Sequence, residues 1–215
     1  MSVADVELRR TGDQSYLLVE RYDRVRDAGG VLRRLHQEDF CQALGYTSDR
    51  KYAADGGLIF RDCFDLLRRA ASRLAVEVLK LFDAAIFNLI IGNADAHAKN
   101  YGLLYRENGS IELAPLYDLL STVYYPELSP RLTMKIVRRH TLEELEAPDW
   151  EKFAEETGLA LRFVRARAKE LTDAVSESIG ETKAELTDAA SDRNAVEEIS
   201  SLISARARSL HQRVP

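Results

Sequence analysis

Residues 74–100 read LAVEVLKLFDAAIFNLIIGNADAHAKN, and the fold turns on how this stretch is read. The pattern predicts a helix over 74–91. Val76, Val78, Leu79, Leu81, Phe82, Ala85, Ile86, Leu89, Ile90 and Ile91 leave it almost no polar face. A helix that is apolar nearly all round belongs at the centre of a domain. Gly92 supplies the stop. Gly92 to Asn100 (GNADAHAKN) then crowds Asn93, Asp95, His97, Lys99 and Asn100 together. Polar groups this dense beside a buried helix are costly unless hydrogen-bonded or bound to something. A segment leaving a buried helix is also held rigidly, which suits it to mount chemistry.

Working outward, Asp5 to Arg10 alternates apolar and polar residues, and Ser15 to Glu20 is a second strand-like run. Thr11-Gly12-Asp13 lies between them, so the start reads as a hairpin. Arg24 to Arg34 contains Ala28-Gly29-Gly30, a flexible break. Gln37 to Leu44 (QEDFCQAL) reads as a short helix stopped by Gly45. Tyr52 to Gly57 reads as a loop, and a helix follows from Phe60 to about Arg73. Glu107-Asn108-Gly109 predicts a second hairpin between Leu103–Tyr105 and Ile111–Leu113. From Leu142 onward three or four helices are expected. Asp149 caps one that starts near Trp150, and Gly158 ends it. Leu159, Leu161, Phe163 and Val164 are expected to be buried. Ala184 to Asn194 is polar and is expected to fray or sit outside the core. The fold class is mainly α (α+β), with short N-terminal and central β-hairpins.

Composition narrows the function. A chain of 215 residues with 46% hydrophobic and 30% charged residues can bury a real core. The net charge of -5 argues against a direct nucleic-acid footprint, since such domains are usually basic. Two cysteines, Cys41 and Cys63, fit a reducing cytosol rather than a disulfide framework. The longest apolar run is too short to span a bilayer, and no signal peptide is visible at the start.

Taken singly, His97 reads as a structural histidine, Lys99 as a solvated lysine, and the polar run as a loop that caps helix ends. Spacing shifts that reading. Asp95 and Asn100 stand five positions apart, the Asp-to-Asn spacing of the kinase catalytic loop H-R-D-L-x-x-x-N. There the Asp takes or orients the proton of the attacking hydroxyl, and the Asn holds Mg²⁺. Asp118, in LAPLYDL just after the predicted hairpin, stands where a second metal carboxylate is needed. Asn and Asp oxygens with waters and phosphate suit Mg²⁺. Zinc is disfavoured, because the four histidines form no H-x-x-x-H pair and the cysteines no C-x-x-C. A small-molecule kinase of the same broad fold stays open on these residues alone.

Further segments carry a resemblance. Leu18 to Arg24 (LVERYDR), Leu35 to Gly45 (LHQEDFCQALG), Lys51 to Gly57 (KYAADGG), Gly92 to Asn100 and Leu116 to Ser121 (LYDLLS) resemble the C-terminal kinase core of the HipA-type serine/threonine kinases, the toxins of toxin–antitoxin modules. Met134-Lys135-Ile136 is also similar, but Val137-Arg138-Arg139 replaces the usual Gly-rich continuation. The resemblance implies a C-terminal lobe of a protein-kinase-like fold that uses ATP and Mg²⁺. Asp95 would be the catalytic base, and Asn100 and Asp118 the metal ligands. His97, Ala98, Lys99 and Tyr117 would lie around the nucleotide phosphates and sugar. Glu20, Arg21 and Tyr22 would form the hinge at the adenine, where the residues themselves suggest only a solvated edge and a strand-end aromatic. Implied partners are a protein substrate such as an aminoacyl-tRNA synthetase and a HipB-like antitoxin, with DNA reached only through the antitoxin. No membrane is implied, and the location is cytoplasmic.

The division expected is residues 1–24 as a remnant of the N-terminal lobe plus hinge, and 25–215 as the helical lobe. In the family the Gly-rich loop and phosphate-binding lysine lie upstream of the hinge. Here the first lysine is Lys51. The chain then reads as half of a split kinase completed by a separately encoded N-terminal lobe. Its alternatives are a truncated product and an inactive lobe that binds an antitoxin or a kinase partner. The split reading predicts an exposed apolar patch near Tyr16 to Val19, where the other lobe would dock.

Overall fold

The computed structural model describes residues 1–12, 14–47, 57–189 and 192–215. Strands β1 (Val6–Thr11) and β2 (Gln14–Val19) form the expected antiparallel hairpin, with Val6 opposite Val19 and Thr11 opposite Gln14. Both strands are exposed along their whole length. The expected flexible break is instead a second hairpin, β3 (Arg24–Arg26) with β4 (Leu32–Arg34). The Asp27 carboxylate builds its turn by accepting the Gly29 and Val31 amides, both at 3.0 Å. Gly30 takes the positive φ of 80° that the turn requires.

The segment 37–44 is a helix only in its second half. His36–Asp39 is a strand, β5, and α1 covers Phe40–Ala43. β5 is drawn into an antiparallel sheet with β6 (Gly102–Tyr105), and β6 pairs in turn with β7 (Ile111–Leu113). Tertiary pairing thus overrides the helical pattern of QEDFCQAL. Asp39 marks the boundary as N-cap. Its carboxylate accepts the Gln42 amide at 2.8 Å, while the Gln42 side chain accepts the Asp39 amide at 2.9 Å.

Helix α2 (Phe60–Ala70) stops before Arg73 because Ser72 is captured by the sheet. The Ser72 amide donates to the Ile111 carbonyl and its hydroxyl accepts the Ile111 amide, both at 2.9 Å. Helix α3 (Leu74–Ile91) follows the predicted bounds and occupies the centre. Leu81, Phe82, Ile86 and Ile90 are wholly buried. α2, β7 and the later helices α5 (Leu161–Ala189) and α6 (Arg193–Arg213) pack around it. Phe82 meets Phe153 of α4 (Ala147–Thr157) at 5.7 Å between ring centres.

Two carboxylates sit on this buried helix and both are answered. Asp83 accepts a two-pronged contact from Arg167 of α5, at 2.9 and 2.6 Å. Glu77 pairs with Lys80 at 2.9 Å and accepts the Leu113 amide of β7 at 3.0 Å. Buried charge is tolerated when paired in this way.

Asp149 does not cap α4. The helix begins two residues earlier at Ala147, and Asp149 reaches back from its third position to accept the Glu146 amide at 2.9 Å. Gly158 ends α4 in the left-handed conformation. Among the described residues three helices follow Leu142. Val164 is buried as expected, but Phe163 is 39% exposed. Much of 184–194 is surface helix, the end of α5 and the start of α6, with residues 190–191 outside the described set. Both cysteines are buried and free.

Candidate active site

The end of α3 and the loop after it are built as one unit. Gly92 takes φ 75° to close the helix. A Cβ there would sit 2.3 Å from Val123 Cγ2 and 3.0 Å from Arg206 Nε, so glycine is required on two counts. Buried Asn88 donates to the Ala84 carbonyl at 3.0 Å and to the Tyr101 hydroxyl at 3.1 Å. Its amide oxygen accepts Asn93 Nδ2 at 2.9 Å. Asn93 Nδ2 also donates to the backbone carbonyl of Asp118 at 3.0 Å. Thr122 closes the far side, accepting the Ala94 amide at 2.8 Å and donating to the Gly92 carbonyl at 3.2 Å.

This lattice holds two segments together, Gly92–Asn100 and Tyr117–Thr122. Asp118 has φ 57°, a left-handed conformation uncommon outside glycine but tolerated by Asp and Asn. Its side chain is exposed and accepts a hydrogen bond from the Asn100 amide group. Asn100 is itself buried, and its amide oxygen accepts the His97 backbone N–H at 3.1 Å. The His97 amide also donates to the Asp95 carbonyl at 2.8 Å, which folds Asp95 to Asn100 into a tight bend. The Asp95 side chain emerges into solvent at the edge of a groove.

The two expected metal ligands are therefore in contact, although 18 positions separate them in sequence. Between them they present hard oxygens, one carrying charge, at an exposed position. That donor set fits Mg²⁺. In the conformation described, the Asn100 nitrogen faces Asp118. Exchange of its amide N and O would turn the oxygen towards a cation and give up the hydrogen bond from the His97 amide.

The expected hinge is also a place. Glu20, Arg21 and Tyr22 line a cleft with Ala4, Gln37 and Tyr117. Tyr22 and Tyr117 stack with ring centres 6.1 Å apart and planes at 25°. Tyr22 donates to Gln37 Oε1 at 2.5 Å, and Tyr117 donates to the Lys99 carbonyl at 2.6 Å. Burial raises the pKa of both phenols, which stay neutral donors. Ala98 is placed differently: it lies fully within the core and offers no surface to a ligand. His97 and Lys99 are half-buried beside it. The KYAADGG segment falls almost wholly outside the described residues.

Several site residues have no signature in sequence. Asp23 is 2% exposed and gathers Arg21 at 2.8 Å, Arg24 at 2.6 Å and Arg34 at 3.5 Å beneath the hinge. Arg21 is thus tied down although its side chain stays exposed, and the Arg21 contact holds the Asp23 carboxyl below its usual pKa. Asn88 shows in the sequence only as a break in an apolar run. Thr122 carries no motif, and Gln37 lies within the family-like segment LHQEDFCQALG without a role of its own there.

A family model described as the HipA-like C-terminal domain matches residues 1–182. The chain belongs to that family. HipA-family relatives agree. The protein Y4mE of Sinorhizobium fredii, classed by name among the kinases, is 50% identical over 208 residues, 97% of this chain and 49% of that protein. The serine/threonine-protein kinase toxin HipA of Shewanella oneidensis is 31% identical over 194 residues, 84% of this chain and 44% of that protein. The solved complex of the Shewanella HipA with HipB and operator DNA superposes with a TM-score of 0.86 at 26% identity. That match covers 99% of this chain and 54% of the solved one. The kinase CtkA of Helicobacter pylori shares the fold, with a TM-score of 0.58 at 14% identity over 100% of this chain and 78% of its own. The HipA-family chain described here thus has a kinase-like fold, and it spans about half the length of the curated relatives it matches.

Proposed function

We propose that this chain is the catalytic lobe of a cytoplasmic HipA-like kinase that transfers phosphate from Mg-ATP to a Ser or Thr of a protein. The contact between Asn100 and Asp118 carries the reading, because it joins two sequence-distant metal-type ligands on the catalytic bend. Asn100 and Asp118 would hold Mg²⁺, which would neutralise charge on the nucleotide phosphates. Asp95 orients the acceptor hydroxyl and takes its proton as the oxygen bonds to the γ-phosphorus and the bond to the leaving ADP breaks. The Tyr22–Tyr117 cleft offers an aromatic wall for the adenine, with Glu20 and Arg21 backbone beside it.

Residues 1–19 contain no lysine to grip the phosphates. We assign that role to the part of the kinase that these 215 residues do not include, whether it is joined to this chain or separately encoded. The exposed face of β1–β2 is where it would seat. Association with a HipB-like antitoxin follows from similarity to the Shewanella protein.

The test is a single variant. Asp95→Asn should abolish phosphorylation of a protein substrate while Mg-ATP still binds. Equal phosphorylation by Asp95→Asn and the parent protein would overturn the assignment of Asp95.

A further inference from the structure

Beside Asp95 runs a groove of about 710 Å³, on a stretch of chain that the nucleotide reading leaves unused. Leu120 and Leu128 form an apolar floor and are 52% and 49% exposed. Arg131, Lys135 and His140 line the rim, and Asp95 is the one carboxylate in the lining. Neither the Arg131 nor the Lys135 side chain takes part in an ion pair or hydrogen bond among the described residues. Arg21, Arg24, Arg139 and Arg167, by contrast, all have carboxylate partners. Glu144, which feels the Arg131 charge, is already engaged, accepting the His140 amide at 2.8 Å. Burial and the neighbouring Lys135 and Arg131 hold the His140 imidazole below its usual pKa, so it is neutral at pH 7.

Two unpaired cations beside an apolar floor, next to a catalytic carboxylate, define the ligand by complementarity. We propose that this groove binds the acceptor segment of the protein substrate, and that it selects a Ser or Thr flanked by an acidic side chain and an apolar one. Arg131 and Lys135 read the acid, and Leu120 and Leu128 take the apolar residue. The proposal rests on the kinase reading for the groove's purpose, but its charge preference can be measured without nucleotide.

The experiment is fluorescence anisotropy with three labelled peptides. They share a central Ser and a flanking Leu and differ only in an acidic, neutral or basic neighbour. The acidic peptide should bind about tenfold more tightly than the basic one, a difference near 1.4 kcal/mol, and added salt should erase the difference. The double variant R131E/K135E should reverse the order. Arg131→Glu alone, at an exposed position, should flatten it if the double variant folds poorly. Equal binding of the three peptides, or an acidic preference unchanged in both variants, would overturn the proposal. A parallel Mg-ATP titration separates the two claims. Charge-selective peptide binding without nucleotide binding, even with the missing part of the kinase supplied, would remove the kinase reading and leave the groove. Nucleotide binding with no peptide preference would do the reverse.

Discussion

At Asp23 a single buried carboxylate anchors the hinge. Arg21 and Arg24 stabilise its ionised form, so its folded pKa lies below the ordinary value of about 3.9. The stabilisation is present above that ordinary value and is lost as pH falls through the depressed one. Asp23→Asn should cost about 2 kcal/mol at neutral pH and remove this acid-side loss. Denaturant melts of both proteins at pH 7 and pH 3 would show the gap closing; a pH-independent gap would contradict the assignment. Gly92 makes a second case. Gly92→Ala meets a forbidding φ and the Val123 methyl together, and should lower stability by about 2 kcal/mol in the same melts. A neutral result would mean that the catalytic bend can relax. The candidate residues that spacing singles out, Asp95, Asn100 and Asp118, are those whose proposed chemistry would demand a particular type at a particular position. Asn88 and Thr122 serve through contacts with other segments, and Asp23 through burial beneath arginines close to it, so no spacing rule announces them.

Among the elements, α3 was readable to the residue because it is apolar on nearly every side and ends at a glycine. β5 was not. Its sequence suits a helix, and only pairing with β6, more than sixty positions away, makes it a strand. Helix α6 lies beyond the matched family segment, yet it reaches the site. Arg206 Nε and Nη2 donate to the Leu89 carbonyl at 3.1 and 2.8 Å, placing a cation at the C-terminal end of α3. Arg206→Ala should therefore leave a buried carbonyl unpaired, cost about 2 kcal/mol, and speed hydrogen exchange at the Gly92 and Asn93 amides. Unchanged exchange there would show that α6 only packs and does not brace the catalytic bend.

On the scale of the whole molecule, the core of the helical lobe is complete while the β1–β2 hairpin stands open. Val6, Tyr16, Leu17, Leu18 and Val19 are 57%, 43%, 57%, 44% and 45% exposed, the patch that the sequence led one to expect. Among the described residues no helix is long and apolar enough to cross a membrane. If another part of the kinase seats on it, Leu17→Lys should change stability by less than about 0.5 kcal/mol. It should also reduce self-association of this chain by itself on size-exclusion chromatography. A large fall in melting temperature would instead make the hairpin part of this lobe's own core. The central claim, that Asn100 and Asp118 form a magnesium-nucleotide site, has a direct test in isothermal titration with ATP. Asp118→Asn suits it, because Asn keeps the left-handed backbone and removes only the charge. The account predicts binding that requires Mg²⁺ and weakens at least about tenfold in the variant; ATP binding that ignores both Mg²⁺ and the Asp118 charge would contradict it.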